Sequence, residues 1–180
     1  MKFKIRLFLF LNLNMSFNDK EYIDLKDYEQ LGELSVNDLY KIVMLPDGQD
    51  YHGRMYYQYV TVWSLLSDED FQKYIHYLSV DDIINFRDYY DANILYGIAE
   101  SGKPISWFET ICNIVGQNEF EEMLKYKGRL SCCPFAVVKN SAAFVALINV
   151  FSIDSDILKQ INVYGTRDNI DYLAYLLNNQ

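Results

Sequence analysis

The sequence predicts an all-α fold of stacked short helical hairpins, preceded by a short N-terminal strand or extension. Three observations predict it. First, a hairpin phrase recurs: an apolar helix, a small-residue break, then a second apolar helix. It reads NILYGIAESGKPISWFETI from Asn93 to Ile111, CPFAVVKNSAAFVALI from Cys133 to Ile148 and INVYGTRDNIDYLAYLL from Ile161 to Leu177, with breaks at Gly102, Ser141 and Gly165. Second, Ser residues stand just before apolar-periodic runs with an acid three positions on, the pattern of a helix N-terminus. Third, 51% of the 180 residues are apolar, enough for one domain with a substantial core.

Residues 1–15, MKFKIRLFLFLNLNM, stand apart from a single helical domain over 16–180. The positive start followed by the apolar run Leu7 to Leu11 has the look of a signal peptide, but the run is short and no small-residue cleavage site follows. It is too short to span a bilayer. Every odd position from Phe3 to Leu13 is apolar, so the segment also reads as a strand that needs a partner edge. The remaining reading is a dispensable extension ahead of Met15.

From residue 16 onward the expected helices are 19–31, 36–44, 52–66, 68–78, 80–90, 93–101, 104–115, 118–127, 133–151 (broken near Ser141) and 156–178 (broken near Gly165). Ser35 precedes Asp38, Ser67 precedes Asp70 and Ser79 precedes Asp82, each ahead of an apolar stripe. The hydroxyl accepts a free backbone N–H, and an acid in the first turn suits the helix dipole. Gly32, Gly102, Gly116, Gly128 and Gly165 fall at helix stops, and Pro104 at a first-turn position. The run YHGRMYYQYVTVWSLL over 51–66 suits a strand as well as a helix, because it is rich in β-branched and aromatic residues. Leu45-Pro46-Asp47-Gly48 reads as a loop.

The formal charge is −9, unevenly spread. Residues 1–14 carry Lys2, Lys4 and Arg6 and no acid; residues 15–100 carry 17 acids against 6 bases; residues 101–180 carry 8 against 7. A net −11 over residues 15–100 repels nucleic acid, whose binding needs phosphates neutralised by Lys and Arg, and attracts basic partners. The same half holds 12 of the 16 tyrosines, a residue that gives large contact area with little rotamer loss. Packed at helical spacing, such rings also build cores, and Tyr74 and Tyr77 with Phe71 and Leu78 read that way. Three cysteines, Cys112, Cys132 and Cys133, make a poor disulfide framework and read as reduced, buried thiols of a cytoplasmic protein.

No catalytic motif appears. His52 and His76 lack ligand spacing, so no metal is expected. The acid clusters Asp68-Glu69-Asp70, Asp81-Asp82 and Glu119-Glu121-Glu122 fall in first turns of helices, where the dipole accounts for them. No phosphate-cradling loop, nucleophile elbow or dinucleotide fingerprint is present, so no cofactor is expected.

The hairpin phrases LYGIAESGK (Leu95 to Lys103), VVKNSAAFVALI (Val137 to Ile148) and YGTRDNIDYLAYLL (Tyr164 to Leu177) resemble the helices and turns of ankyrin repeats over about residues 93–177. The breaks lie 39 and 24 residues apart rather than the repeat's usual ~33, so an ankyrin-like array and an irregular helical array both stand. The resemblance implies protein binding without catalysis. The expected function is therefore non-enzymatic: an inhibitor or immunity-type protein capping a basic partner, such as a toxin or nucleic-acid-handling enzyme, without binding nucleic acid or membrane itself. The expected contact residues are Asp47, Asp50, Tyr51, Tyr56, Tyr57, Asp88, Tyr89, Tyr90 and Asp91. An ankyrin-like adaptor or secreted effector scaffold is the alternative, and an enzyme with a cryptic site the third reading.

Overall fold

In the computed structural model, residues 22–24, 33–35, 38–49, 55–88 and 90–178 are described. The expected N-terminal strand or extension over 1–15 lies outside them. The chain is mostly helical, as its punctuation predicts, with nine α-helices among the described residues. They are α1 (Val62–Leu65), α2 (Asp68–Ile75), α3 (Val80–Asn85), α4 (Ile94–Glu100), α5 (Ile105–Val115), α6 (Gln117–Lys125), α7 (Ser141–Val150), α8 (Ser155–Tyr164) and α9 (Arg167–Asn178).

The first third departs from the expectation. Strands β1 (Tyr22–Asp24), β2 (Ile42–Gln49) and β3 (Met55–Thr61) form a sheet in the order β1-β2-β3. β1 runs parallel to β2, with Tyr22 opposite Ile42; β2 runs antiparallel to β3, with Ile42 opposite Thr61 and Leu45 opposite Gln58. The helix expected over 36–44 is a single 3-10 turn, Asp38–Tyr40, leading into β2. The Ser35–Asp38 exchange is present: Asp38 Oδ2 accepts Ser35 N (2.9 Å) and Asp38 N donates to Ser35 Oγ (3.3 Å). The turn ends at once because Lys41 N returns to Asp38 O (3.0 Å) and the Lys41 ammonium pairs with Asp38 Oδ1 (2.6 Å), while Ile42 and Val43, stiff β-branched residues, suit a strand.

The helix expected over 52–66 is β3 followed by the one-turn α1, so the aromatic, β-branched character of that run decided its state. The loop expected at Leu45 to Gly48 is part of β2, its ladder with β3 broken by a register shift between Pro46 and Gly48. Of the helix expected over 19–31, the described part, Tyr22–Asp24, is β1.

From α2 onward the two Ser caps act as the sequence predicts: Ser67 Oγ accepts Asp70 N (3.1 Å), and Ser79 and Asp82 form a reciprocal capping box. Asn93, expected as the first residue of its helix, is the cap of α4, its Oδ1 accepting Tyr96 N (3.2 Å). The helix expected over 80–90 stops at Asn85. The α4–α5 turn closes on Gly102 at φ 73°, with Lys103 N on Ile98 O (3.3 Å) and Gly102 N on Ala99 O (3.2 Å), a Schellman arrangement that only a left-handed residue completes. Gly165 turns otherwise: its φ is −65°, and the constraint is space, because a Cβ would meet Ile161 O at 2.5 Å. The break expected at Ser141 comes earlier. Residues Pro134–Val137 form a 3-10 turn, Asn140 caps α7, and Ser141 is its first residue.

One buried apolar cluster runs from Leu34 to Leu173. Three buried amide side chains stitch successive helices into it. Asn93 Nδ2 donates to Met123 O (2.6 Å), Gln160 Oε1 accepts Cys133 N (2.8 Å), and Asn169 Nδ2 donates to Val138 O (2.7 Å). Buried hydrogen bonds of this kind fix which segment faces which, since each is costly to leave unmade; the Oδ1 of Asn169 is buried without a partner among the described residues. At the junction of β3 and α1 with α4, Gly97 leaves no room for a side chain: a Cβ would lie 2.3 Å from Thr61 Oγ1.

Candidate functional site

Two surfaces of the acidic half bear on function: the loop after α3, where the expected contact acids Asp88 and Asp91 lie, and the corner between α2 and α3.

The loop is held from within. Asp88 Oδ1 accepts both Tyr90 N (2.8 Å) and Ala92 N (2.9 Å), and Asp88 N donates to Ala92 O (2.9 Å). Asp91 takes the left-handed conformation, φ 58°, one that a short polar side chain tolerates. Its Oδ2 accepts the Tyr126 hydroxyl (3.0 Å), and Arg87 stacks over the Tyr126 ring at 4.2 Å. Arg129 N donates to Tyr90 O (3.4 Å), so the segment after α6 pins the loop. Both acids thus have internal work. Tyr90 is half-buried.

Burial pushes the Asp88 carboxyl up to about 6, with the nearby charges of Asp91 and Glu100 adding to the rise and the two amide hydrogen bonds opposing it. The folded state therefore holds this proton more tightly than the unfolded chain, and stability falls as pH rises from about 4 through about 6, by up to ~3 kcal/mol at ~1.4 kcal/mol per pH unit. Asp88→Asn keeps an Oδ1 for both amides and removes the charge. It is expected to flatten that slope in urea melts run across this pH range. Asp88→Ala leaves two amides unpaired and is expected to cost about 1–3 kcal/mol at every pH. Equal pH slopes in wild type and Asp88→Asn would refute this assignment.

Three other expected contact residues belong to strands of the sheet. Asp47 is in β2, and Tyr56 and Tyr57 are in β3, opposite Gly48 and Pro46. Asp50, Tyr51 and Tyr89 fall outside the described residues.

The α2–α3 corner presents what the sequence reading placed in the core. Tyr74 is buried, but its edge-on neighbour Tyr77 (centroids 5.7 Å apart) is 51% exposed, and Val80 is 43% exposed. Helix α2 ends at Ile75, so Tyr77 sits past its last turn and escapes the buried stripe that its spacing from Phe71 and Tyr74 implied. The first turns of α2 and α3 carry five carboxylates, Asp68, Glu69 and Asp70 at the far end of α2 from Tyr77, and Asp81 and Asp82 next to Val80 in sequence; Asp68 Oδ1 is taken by Trp107 Nε1 (2.7 Å). Asp70 accepts Ser67 Oγ (2.7 Å), and Asp82 accepts Ser79 Oγ (2.6 Å) and Ser79 N (3.0 Å); the Ser79 bonds hold the Asp82 carboxyl below its ordinary range. Lys73 pairs with Glu33 (2.6 Å), and Lys103 Nζ donates to Leu66 O (2.6 Å) just before α2. Helices α2 and α3 thus combine an exposed aromatic and aliphatic pair with acid-rich first turns.

His76 is exposed on this corner, and His52 lies outside the described residues. Cys112, Cys132 and Cys133 are free thiols, the last two buried. Among the described residues no group of three or more His, Cys, Asp or Glu could hold a metal ion, and no helix is long and apolar enough to cross a membrane. Comparison of the chain with protein-family models, with curated proteins and with solved structures returns no match.

Proposed function

We propose that this chain is a non-enzymatic protein-binding protein of inhibitor or immunity type, which caps a basic partner with its acidic half and acts in the cytoplasm. The observation that carries the reading is the α2–α3 corner. Exposed Tyr77 and Val80 supply an apolar anchor, and the acid-rich first turns of α2 and α3 supply long-range attraction. The contact surface is thereby centred on residues 67–82, with Asp88 and Asp91 supporting the fold beside it.

Rim charges act mainly on association rate and its salt dependence. A basic protein recovered with the chain from its native source provides the ligand for surface plasmon resonance. Glu69→Lys with Asp81→Lys is expected to slow association about tenfold at low salt and to weaken its salt dependence, while Asp88→Asn leaves both unchanged. An association rate indifferent to salt and to the double reversal would remove this reading.

A second reading, an ankyrin-like adaptor, is favoured by the far end of the array. Helices α8 and α9 expose Val163, Tyr164, Tyr175 and Leu177, an apolar end that a further repeat or a partner would cover. Under this reading Tyr175→Ser with Leu177→Ser abolishes partner binding and the corner reversals do not.

A further inference from the structure

Strand β3 has β2 on one side and, among the described residues, no strand on the other. Val62 N donates to Lys41 O (3.3 Å) just beyond the Ile42–Thr61 pair. Antiparallel alternation then turns the N–H and C=O groups of Gln58 and Val60 towards β2, and those of Tyr57 and Tyr59 towards the open side. The β3 sequence, MYYQYVT, contains no Pro, no Lys and no other charge. It therefore lacks two of the devices, Pro and charge, that keep an edge strand from pairing with whatever strand it meets. An edge of this kind needs an occupant.

The chain carries one. Residues 3–13 are apolar at every odd position and contain neither Pro nor an acid, the period-two pattern of a strand. From Leu13 to Tyr22 the chain makes nine Cα steps, a reach of about 31 Å. Crossing from the start of β1 to a position beyond β3 takes three strand spacings, about 14 Å. Lys2, Lys4 and Arg6, the basic residues of this otherwise acid-free segment, would be carried to the half of the chain that holds 17 acids against 6 bases. We propose that the edge of β3 left without a strand among the described residues is a strand-accepting site and that its occupant is residues 3–13 of the same chain. This stands independently of the capping function above.

Hydrogen exchange of the full chain tests it, with the Ile111 amide in the buried middle of α5 as the reference for global unfolding. Two variants are compared with wild type: a chain beginning at Met15, and the full-length Leu7→Pro with Leu9→Pro. In both, the Tyr57 and Tyr59 amides are expected to exchange at least tenfold faster, with Ile111 unchanged, and a synthetic peptide of residues 2–14 restores the protection of the shortened chain. Equal exchange at Tyr57 and Tyr59 in wild type and variants overturns the proposal. Protection lost on simple dilution of the wild type also overturns it, in favour of a second copy on the edge. Loss of Ile111 protection in both variants overturns it too, since the segment would then belong to the core.

Discussion

Gly128→Ala is expected to lower the stability of this protein by about 3 kcal/mol. Gly128 has φ 57°, and a Cβ built on it would lie 2.0 Å from Asp91 O and 2.8 Å from Asp91 C. The left-handed conformation alone costs a residue with a Cβ ~1 kcal/mol, and forcing an atom against a fixed backbone adds ~2 kcal/mol. The obstacle cannot swing aside as a side-chain tip would, because the Asp91 backbone is itself tied to Asp88 O (2.9 Å). Gly102→Ala is the matched control: its φ is 73°, but the nearest heavy atom to a new Cβ is Lys139 Cβ at 3.6 Å, so only the ~1 kcal/mol backbone term applies. Urea midpoints of the two variants decide the matter. Equal losses would show that the contact between the loop after α3 and the segment after α6 carries no energy of its own.

Trp107→Ala is expected to cost about 3–5 kcal/mol. The Trp107 ring is buried and stacks on Phe71 with centroids 3.9 Å apart and planes within 10°, while Lys103 Nζ sits 4.5 Å from its centroid. Its Nε1 donates to Asp68 Oδ1 (2.7 Å), and Lys103 Nζ donates to Leu66 O (2.6 Å). One side chain thus joins α5 to the start of α2, and with it the helical array to the corner that carries Tyr77. Trp107→Phe retains most of the apolar contact but loses the N–H and is expected to cost about 1–2 kcal/mol. A Trp107→Phe loss as large as that of Trp107→Ala would place the energy in the Asp68 bond rather than in ring packing. Removing Asp68 separately, by Asp68→Ala, checks that outcome against the same melts.

Helix caps were legible because they are local. Ser67 and Ser79 each reach a backbone N–H three residues on, and that geometry needs nothing from the rest of the chain. The same local reading failed at Ser35, where the exchange with Asp38 formed but the residues that follow found strand partners in β1 and β3. Sheet pairing is non-local, and a capping signal says nothing of how far the helix after it will run. The candidate site follows the same division. That the first half is acidic and rich in tyrosine is a matter of counting, whereas which acids are spent internally required the fold. Asp91 meets Tyr126, 35 residues away, and Asp88, whose bonds to the amides of Tyr90 and Ala92 are local, is also buried by the fold.

By itself the sequence determined the helical class, the cap positions, the hairpin break at Gly102 and the charge asymmetry, since each follows from residues within a few positions of one another. Only the tertiary structure decided the β1-β2-β3 sheet, the inward turn of Asp88 and Asp91, and the exposure of Tyr77 beside a buried Tyr74. The β1–β2 pairing and the Asp91–Tyr126 bond join residues 20 and 35 positions apart, and burial is a property of the surfaces that meet rather than of either segment alone.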